Sequence, residues 1–583
     1  MRGSTGSAGG SVQLAVAMLL VAGTILASGL LDSAYWHHNF LLVNLFVAVA
    51  VLQNMLLADA GQVSFGQGAI FGLAAYAVGI AMVVHGHAYW AAMLIGVLFA
   101  LLLGLAFALP SLRVQGYYLG FVSLSAAVVF PELLVALDSI TKGINGLTVK
   151  PTSLSAPFLG KLTPLSLLIL AFVCLTIAGH HCLRAAMLGR HMRVAARSAE
   201  AAQTLGISPG HMRFYGFLIA ALGTGIAGTL YTPLIGFVSP YAFRVELSVY
   251  FFFAVIVGGS GRVLGPVIGA WILYLIPNVL LVNLADYRLL AYGAVALFIM
   301  LLFPDGVVGT LERFFRRPEN TAANLSAAVG LVKASAASGA TRRSADDAPA
   351  IEVLGATKRF GSVAALSDVG VTVISGTIHG IVGPNGSGKT TLLNALSGLI
   401  RLDAGAVRIR GEDIARFPPH RIPSLGMSRT FQTPRIFDDM SIWDNLAVGA
   451  ASGQGSAPNP VLAALEPLRL QWQAQSPATL QHAQRRLLEV LRAAAMDTGI
   501  ILLDEPAAGL APDERNELAD LFLFLRDRFA TTIVLIEHDL SLVWRVADRI
   551  TVLDAGLSVA DGQPTAIRSD PKVQALFTGA PHA

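Results

Sequence analysis

The sequence predicts a protein of two parts, an all-α polytopic membrane domain with about eight to ten spans followed by a soluble α/β domain. Of its 583 residues, 54% are hydrophobic and 13% are charged, which is far from the composition of an average soluble protein. The apolar residues are concentrated before about residue 305, and most charged residues follow it. From Ile351 onward, short Val, Ile and Leu runs alternate with helical stretches, which is typical of an α/β fold.

These shifts in composition set the domain boundaries. Residues 318–350 are mostly small or polar and include no aromatic residue, so this stretch is not expected to fold alone. A net charge of +4 is too small to indicate a nucleic-acid partner. We therefore divide the chain into an N-terminal tail, a membrane domain, a flexible linker and an α/β domain, at residues 1–11, 12–305, 306–350 and 351–583.

The membrane half contains about ten apolar runs that approach the ~20 residues needed to span a bilayer. With the N-terminus inside, most loop arginines lie on the cytoplasmic side, which also places the α/β domain in the cytoplasm. Polar residues within the runs are expected either to join helices or to line a path for a solute. They are Asn44, Gln53, Asn54, Gln62, Gln67 and Glu132. Glu132 is favoured for the solute path because a carboxylate is the costliest of these groups to leave facing lipid.

The longest cytoplasmic loop, residues 182–212, contains "GRHMRVAARSAEAAQTLGIS". Its alanines, together with Arg193, Arg197 and Glu200, predict a short amphipathic helix at the membrane surface. Such a helix is either a solvated connector or an element that couples the membrane domain to an ATPase. The second interpretation requires that the α/β half be the right kind of ATPase.

The α/β half carries a phosphate-binding loop between a strand and a helix. The run "IHGIVGPNGSGKTTLLNALSGL" fits G-x-x-x-x-G-K-[ST] in that context. Glycines allow backbone N–H groups to point at phosphate oxygens, Lys389 neutralises the β/γ-phosphates, and the Thr390 hydroxyl is offered to Mg²⁺. The residues assigned to ATP binding here are Gly383, Pro384, Asn385, Gly386, Ser387, Gly388, Lys389, Thr390 and Thr391.

A second acidic motif completes the predicted site. "IILLDEP", residues 500–506, is an apolar strand followed by two carboxylates. Asp504 is expected to hold the coordination shell of Mg²⁺, and Glu505 to polarise the attacking water. Paired acids after a strand are weak evidence alone, but together with the phosphate-binding loop they predict an ATPase.

Three stretches of the membrane half resemble the permease subunits of branched-chain amino acid ABC importers. They are "NMLLADAGQVSFGQGAIFGLAAY" (54–76), "TKGINGL" (141–147) and "VGGSGRVLGPVIGA" (257–270), and the "AEAAQTLGIS" loop agrees with them. The resemblance covers most of residues 40–300. It implies a bacterial inner-membrane, multi-pass protein, and it implies that the loop with Arg197, Glu200 and Gly206 couples permease to ATPase. Related permeases carry urea, short amides or aromatic acids, so the substrate stays open.

The soluble half resembles an ABC ATPase throughout. "RTFQTPRIFDDMSIWDNLAVG" and "LLDEPAAGLAP" look specifically like the ATP-binding subunit of the same importers. The resemblance implies that Phe360 stacks on adenine, that Gln432 senses Mg²⁺ and touches the coupling helix, and that His538 contacts the γ-phosphate as a catalytic residue beside Glu505.

One motif departs from that family. Its signature loop resembles "LSYGQQRRLEIARAL", whereas this chain has "LQHAQRRLLEVLRAA". The degenerate loop consists of Leu480, Gln481, His482, Ala483 and Gln484. In the family, the serine hydroxyl and glycine N–H donate to the γ-phosphate of ATP held by the opposite subunit. Gln481 is longer than serine and Ala483 restricts close approach, so we expect an impaired loop.

These features and the family resemblance predict ATP-driven import of a small polar solute, with branched-chain amino acids or a related amide or amino acid favoured, by a fused permease and ATPase with ATP and Mg²⁺ as cofactors. The altered loop favours a heteromeric assembly containing a second permease and a second ATPase with an intact loop. The family resemblance adds an extracytoplasmic solute-binding protein. An exporter, or a non-transporting nucleotide-binding regulator with impaired hydrolysis, are the alternatives, although about ten spans with short inner loops count against the exporter.

Overall fold

A computed structural model of the chain describes two compact units. The first consists of residues 1–197 and 209–318, and the second of residues 198–208 and 319–583. The residues described are 7–30, 33–114, 116–150, 152–276, 287–315, 325–337, 348–451, 459–538 and 540–578.

The first unit is a bundle of helices. Among the described residues, eight helices are long and apolar enough to cross a membrane. Two shorter apolar helices, Gln67–Val83 and Gly265–Leu275, accompany them. These ten helices correspond to the ten apolar runs of the sequence. The helices of this unit are α1 Ser7–Leu30, α2 Ala34–Asn54, α3 Gln67–Val83, α4 Tyr89–Ser111, α5 Tyr117–Ala136, α6 Asp138–Thr141, α7 Pro164–Ala185, α8 Met187–Arg197, α10 Pro209–Ile235, α11 Val245–Gly258, α12 Gly265–Leu275, α13 Arg288–Leu302 and α14 Gly306–Phe315. Strands β1, Leu147–Thr148, and β2, Phe237–Val238, pair antiparallel.

The chain leaves regular helical structure between α2 and α3. One π-helical turn, Met55–Asp59, follows α2, and residues 61–66 then lack helix or strand. Hydroxyl groups satisfy the backbone here, because Ser123 Oγ accepts from Phe65 N at 2.9 Å and Ser248 Oγ accepts from Gly68 N at 3.1 Å. Irregular backbone at membrane depth is tolerated when protein buries it in this way.

The polar residues predicted within the membrane half divide into two groups. Five of them are at most 1% exposed: Asn44, Gln53, Asn54, Gln62 and Gln67. Glu132 is instead exposed on α5, and its assignment to a solute path stays a prediction. The buried face of α5 contains Leu119, Ser123, Ala127, Phe130 and Leu134, and the position of Glu132 lies off that stripe.

The second unit contains two sheets. The six-stranded sheet has the order β12-β11-β5-β10-β9-β8, parallel except for β12, and the antiparallel sheet has the order β4-β3-β6-β7. Strands β5, β9 and β10 are buried along their whole length, which explains their continuous apolar sequences. The strands are β3 Pro349–Phe360, β4 Val363–Ile374, β5 Ile378–Val382, β6 Ala404–Ile409, β7 Glu412–Asp413, β8 Met427–Arg429, β9 Ile500–Asp504, β10 Thr532–Ile536, β11 Arg549–Asp554 and β12 Leu557–Gly562.

Several helices of this unit, among them those that contain Leu465, Leu488 and Phe522, share an apolar core with the six-stranded sheet. The helices of the unit are α9 Ala199–Thr204, α15 Leu325–Ala337, α16 Lys389–Leu396, α17 Ile442–Ala451, α18 Pro460–Leu465, α19 Arg469–Ala474, α20 His482–Ala495, α21 Pro512–Phe529, α22 Leu540–Val546, α23 Pro564–Ser569 and α24 Pro571–Thr578. The multi-domain class predicted from the sequence, all-α membrane helices followed by an α/β domain, is confirmed.

The stretch predicted as a flexible linker, 306–350, differs from that expectation in its described parts. It contains α14 and α15, and α15 packs on the ATPase half. Leu325, Ala328, Val329 and Val332 are at most 2% exposed and belong to the core formed with α18, α20 and α21. Their spacing places an apolar stripe on one face of a helix, which outweighs the small and polar composition of the stretch as a whole.

Candidate nucleotide-binding and coupling site

The phosphate-binding loop lies at the carboxyl end of β5, followed by α16. Gly383 and Gly388 adopt φ values of +157° and +99°, and a Cβ on them would come within 2.1 Å of Leu553 O and 2.4 Å of Ala365 O. These close approaches require glycine at both positions. The residues of the loop therefore form one tight turn that directs the chain into the N-terminus of α16, a position that favours anions.

Lys389, the first residue of α16, points back into this loop. Its Nζ donates to the carbonyl oxygens of Gly383 and Pro384, each at 2.8 Å, and the residue is only 6% exposed. Burial lowers the pKa of Lys389, while Glu505 and Asp504 oppose that change. Ser387 Oγ is buried without a hydrogen-bond partner. A loop with a buried ammonium group and an unsatisfied hydroxyl fits phosphate oxygens.

The two carboxylates predicted from "LLDEP" have different surroundings. Asp504, at the end of β9, has its Oδ2 3.3 Å from Nη2 of Arg429, and this pair is almost fully buried. Burial raises the pKa of Asp504, and the Arg429 guanidinium opposes the rise. Arg429 in turn donates to Asn394 Oδ1 at 2.7 Å and Ser397 Oγ at 2.6 Å on the α16 side. Arg429 thus ties the acidic strand to the phosphate-binding helix, a role that the sequence analysis missed.

Glu505 begins the turn after β9 and has a positive φ of 45°, which is uncommon for a residue with a side chain. Its Oε2 accepts from Gln432 Nε2 at 2.8 Å and lies 3.8 Å from Nδ1 of His538. The structure therefore brings together three residues that the sequence assigned separately. Phe360, at the end of β3, is 52% exposed, and the Lys358 ammonium lies 5.6 Å from its ring centroid. An exposed ring of this kind is free to stack on a planar base.

Oxygen-donor side chains suited to Mg²⁺ surround the same region. Thr390 lies in the first turn of α16, Asp504 ends β9, and the Gln432 amide adjoins Glu505. Hydroxyl, carboxylate and amide oxygens are the ligands that hard divalent cations prefer. The residues present therefore fit the ion, although among the described residues no preformed cluster of three or more His, Cys, Asp or Glu side chains is found.

The segment predicted to be a degenerate signature loop, residues 480–484, leads into α20. Gln481 is the N-cap residue, and its backbone N–H donates to Gln484 Oε1 at 3.2 Å. His482 Nε2 donates to the carbonyl oxygen of Ala508 at 3.3 Å, in the turn after Glu505. Leu480 is buried and anchors the loop, whereas Gln481 and His482 are exposed. Both side chains thus reach the surface, and in this chain alone they make local contacts, His482 with Ala508 O and Gln481 with the backbone at the start of α20.

The body of α20 forms hydrogen bonds with the backbone of residues 431–435, the segment that contains Gln432. Arg486 donates to the carbonyl oxygens of Phe431, at 2.6 Å, and of Gln432. Glu489 Oε1 accepts from Arg435 N at 3.0 Å. Glu489 is 1% exposed, and burial raises the pKa of its carboxyl group. The sequence did not reveal this role of Glu489, because Arg435, whose backbone N–H it accepts, lies 54 residues away in the chain.

The segment also meets α9, which belongs to the same compact unit. Arg435 Nη2 lies 3.5 Å from Oε2 of Glu200 in the first turn of α9. Ser198 caps α9 by accepting from Ala201 N at 3.2 Å, and Gly206 ends the segment with φ of +75°. Arg197, the third residue predicted for this loop, is the last residue of α8 and belongs to the first unit.

Comparison with known families agrees with this arrangement in both halves. The family described as the permease component of the branched-chain amino acid transport system matches residues 35–303. The family described as ABC transporter matches residues 366–508. The two matches cover separate parts of one polypeptide, one in each half.

Similar proteins with assigned roles match the ATPase half. The high-affinity branched-chain amino acid transport ATP-binding protein BraF of Pseudomonas aeruginosa is 36% identical over 250 residues, which are 40% of this chain and 98% of BraF. LivG of Escherichia coli K12, with the same description, gives the same identity and coverage. The probable LivG of Archaeoglobus fulgidus is 34% identical over 242 residues, covering 38% of this chain and 93% of LivG. A crystal structure of an ABC transporter ATP-binding cassette in its ADP conformation is 30% identical, with a TM-score of 0.35, and covers 40% of this chain and 99% of the cassette.

Proposed function

Because this chain belongs to the branched-chain amino acid family of ABC transporters and carries permease and ATPase in one polypeptide, we propose that it drives ATP-dependent import of branched-chain amino acids or a related amino acid or amide. The observation that carries the proposal is the presence of both matches in a single chain. The proposed location is a bacterial inner membrane, with the ATPase half in the cytoplasm. The family implies further transporter subunits and a solute-binding protein.

In the proposed reaction, Lys389 neutralises the β/γ-phosphates and Glu505 polarises the attacking water. The 2.8 Å contact from Gln432 to Glu505 supports this role, because it orients the carboxylate within the site. His538, 3.8 Å from Glu505, is assigned to the γ-phosphate, and Phe360 to the adenine ring. Bound Mg²⁺ supplies charge neutralisation for the transferred phosphoryl group, with Thr390, Asp504 and Gln432 as its protein ligands.

Coupling is assigned to α9. ATP-driven closure of two ATPase domains would displace the segment containing Gln432, and the ion pair between Arg435 and Glu200 offers a path for that displacement to α9. We propose that the resulting motion reorients the permease between its two faces. Arg197 and Gly206 would set the two ends of the moving segment.

The signature loop supports a heteromeric assembly. A donor aimed at charge that develops in a transition state contributes roughly 3 kcal/mol, or about a hundredfold in rate, so replacing serine and glycine by Gln481 and Ala483 is expected to weaken any site completed by this loop. The phosphate-binding loop and Glu505 of this chain retain their expected residues. We therefore propose that a partner ATPase with an intact loop completes one efficient site with this chain, alongside a second permease subunit.

The test is solute uptake into proteoliposomes containing this chain with its genomic neighbours among permease, ATPase and binding-protein genes. ATP-dependent accumulation of radiolabelled L-leucine, or of another amino acid or amide from a panel, is expected. Lys389→Ala and Glu505→Gln should abolish it. Accumulation in inside-out vesicles would instead indicate export, and uptake that persists in Lys389→Ala would refute the proposal.

A further inference from the structure

A buried ionic cluster lies at the inner end of the membrane unit, outside the nucleotide site. Its centre is Asp59, the last residue of the π-helical turn after α2, which is 1% exposed. Asp59 Oδ2 lies 2.7 Å from Nε2 of His180, and Asp59 Oδ1 lies 3.2 Å from Nε of Arg184. Both partners lie near the end of α7. A carboxylate so completely buried is retained only with such partners, and an ionisable group at membrane depth is a functional candidate.

The cluster extends from α7 into α8. Arg193 of α8 donates from Nη2 to the carbonyl oxygen of Arg184 at 2.9 Å and is itself 6% exposed. The corner between α7 and α8 is thereby fixed to the residue that holds Asp59. Arg184 also donates to the carbonyl oxygen of Gly261, so the loop between α11 and α12 meets the same group.

A second, independent contact joins α8 to the chain just after Asp59. Gly61 has φ of +65°, and a Cβ built on it would lie 2.9 Å from Cβ and 3.0 Å from Cα of Ala196. Helix α8 therefore packs against the backbone of the unwound segment at a distance that only glycine allows. The two contacts, one ionic and one steric, lie on either side of the point where α2 gives way to irregular chain.

The position of α8 in the chain gives these contacts a consequence. Arg197 ends α8, and the next residue, Ser198, caps α9, the helix that bears Glu200. A displacement of α9 would therefore be transmitted to α8 through one connecting residue of the backbone. A π-helical turn such as Met55–Asp59 is rare and is frequently found at functional sites.

We propose that Asp59 is a positioning residue for transport, which fastens the corner between α7 and α8 to the inner end of α2 so that movement of α8 reaches residues 55–66. The inference rests on the proposed function, in which α9 receives movement from the ATPase. It assigns to the charge of Asp59 a role in transmission, distinct from binding of solute or nucleotide. Removing the charge should leave nucleotide binding intact and separate the motion of α8 from that of the unwound segment.

Hydrogen exchange of the full chain, with its partner subunits in lipid nanodiscs, tests the proposal with and without ATP. In the wild type, ATP should change exchange in both 187–197 and 55–66, and Lys389→Ala should abolish both changes. In Asp59→Asn, the effect of ATP on exchange in 187–197 should persist. The ratio of exchange rates with and without ATP in 55–66 should fall about tenfold, which is equivalent to ~1.4 kcal/mol in the opening equilibrium. Asp59→Glu, which keeps the charge, should retain both changes.

The matched control is Glu312→Gln, which breaks another ion pair of the same unit, with 2.8 Å between Glu312 Oε2 and Arg262 Nε. It should respond to ATP as the wild type does. If Asp59→Asn does not accumulate in membranes, Arg184→Gln removes the same pair from the other side. The inference is overturned if residues 55–66 respond fully to ATP in Asp59→Asn or in Arg184→Gln. It is also overturned if Asp59→Glu loses this response as Asp59→Asn does. Solute uptake by the wild type, measured in parallel, separates such a failure from failure of the proposed function.

Discussion

Helix α15, which lies within the predicted linker, allows a quantitative test of whether residues 325–337 belong to the core of the ATPase fold. Leu325 is 0% exposed and packs in the core shared with α18 and α20. Truncating a fully buried leucine removes its transfer free energy and leaves a cavity, so Leu325→Ala should lower the free energy of unfolding by about 2–4 kcal/mol. Were α15 a detached tether, the same change would have almost no effect, because the side chain would be solvated in both states.

The assay is urea unfolding of the soluble fragment 319–583, which contains all of the cores formed by β3–β12 and their helices. Fluorescence of the buried Trp443 and Trp472 reports the transition. Leu470→Ala is the matched control, because Leu470 is 82% exposed and the same truncation there should change stability by less than ~0.5 kcal/mol. A shift below about 1 kcal/mol for Leu325→Ala would refute the assignment of α15 to the core.

Three further predictions concern the ATPase half. Burial lowers the pKa of His379 to about 4 from 6.5, so its contribution to stability is present above pH 6.5 and is lost as pH falls toward 4. Between pH 7 and pH 4.5, the free energy of unfolding of the wild type should therefore fall by about 2–3 kcal/mol more than that of His379→Gln. Urea unfolding at both pH values measures the difference. Charge reversal by Glu200→Arg should lower ATP-driven uptake about two- to fivefold, as expected for a half-exposed ion pair, and adding Arg435→Glu should restore it; failure of the restoration would count against the pair. Combining Gln481→Ser with Ala483→Gly should raise the ATPase rate of the chain assayed without a partner ATPase by at least about tenfold, and an unchanged rate would show that the loop does not limit hydrolysis.

The parts of the site that sequence could predict are those fixed by local geometry. A glycine-rich turn between strand and helix must place Lys389 near phosphates, and a strand ending in Asp504 must deliver that carboxylate to the same edge of a parallel sheet. The ten apolar runs similarly predict helices, because lipid leaves few alternatives for an apolar chain. In each case the motif or apolar run that carries the signal lies within a stretch of about twenty residues.

The parts that sequence could not predict depend on partners distant in the chain. Asp59 lies within a quoted motif, yet only the packing of α7 against α2 shows that His180 and Arg184 meet it. Glu132 attracted attention by its charge alone, but the face of α5 on which a residue falls depends on which neighbours cover that helix. For α15 a local signal did exist, the apolar spacing from Leu325 to Val332, and an average over the whole linker hid it.

Helix α20 indicates how the predicted alteration of the signature loop is compatible with the proposed transport function. The helix has two separate tasks: its first turn presents the loop, while Arg486 and Glu489 further along hold the backbone around Gln432. Both of these residues are 1% exposed, and a change in either would leave an unpaired charge in the core, a severe penalty. Exposed Gln481 lies outside that core and its replacement leaves these contacts in place. Under the proposed function, the chain would therefore lose donors to a neighbour's nucleotide while keeping the contacts assigned to the relay of movement from its own nucleotide to α9.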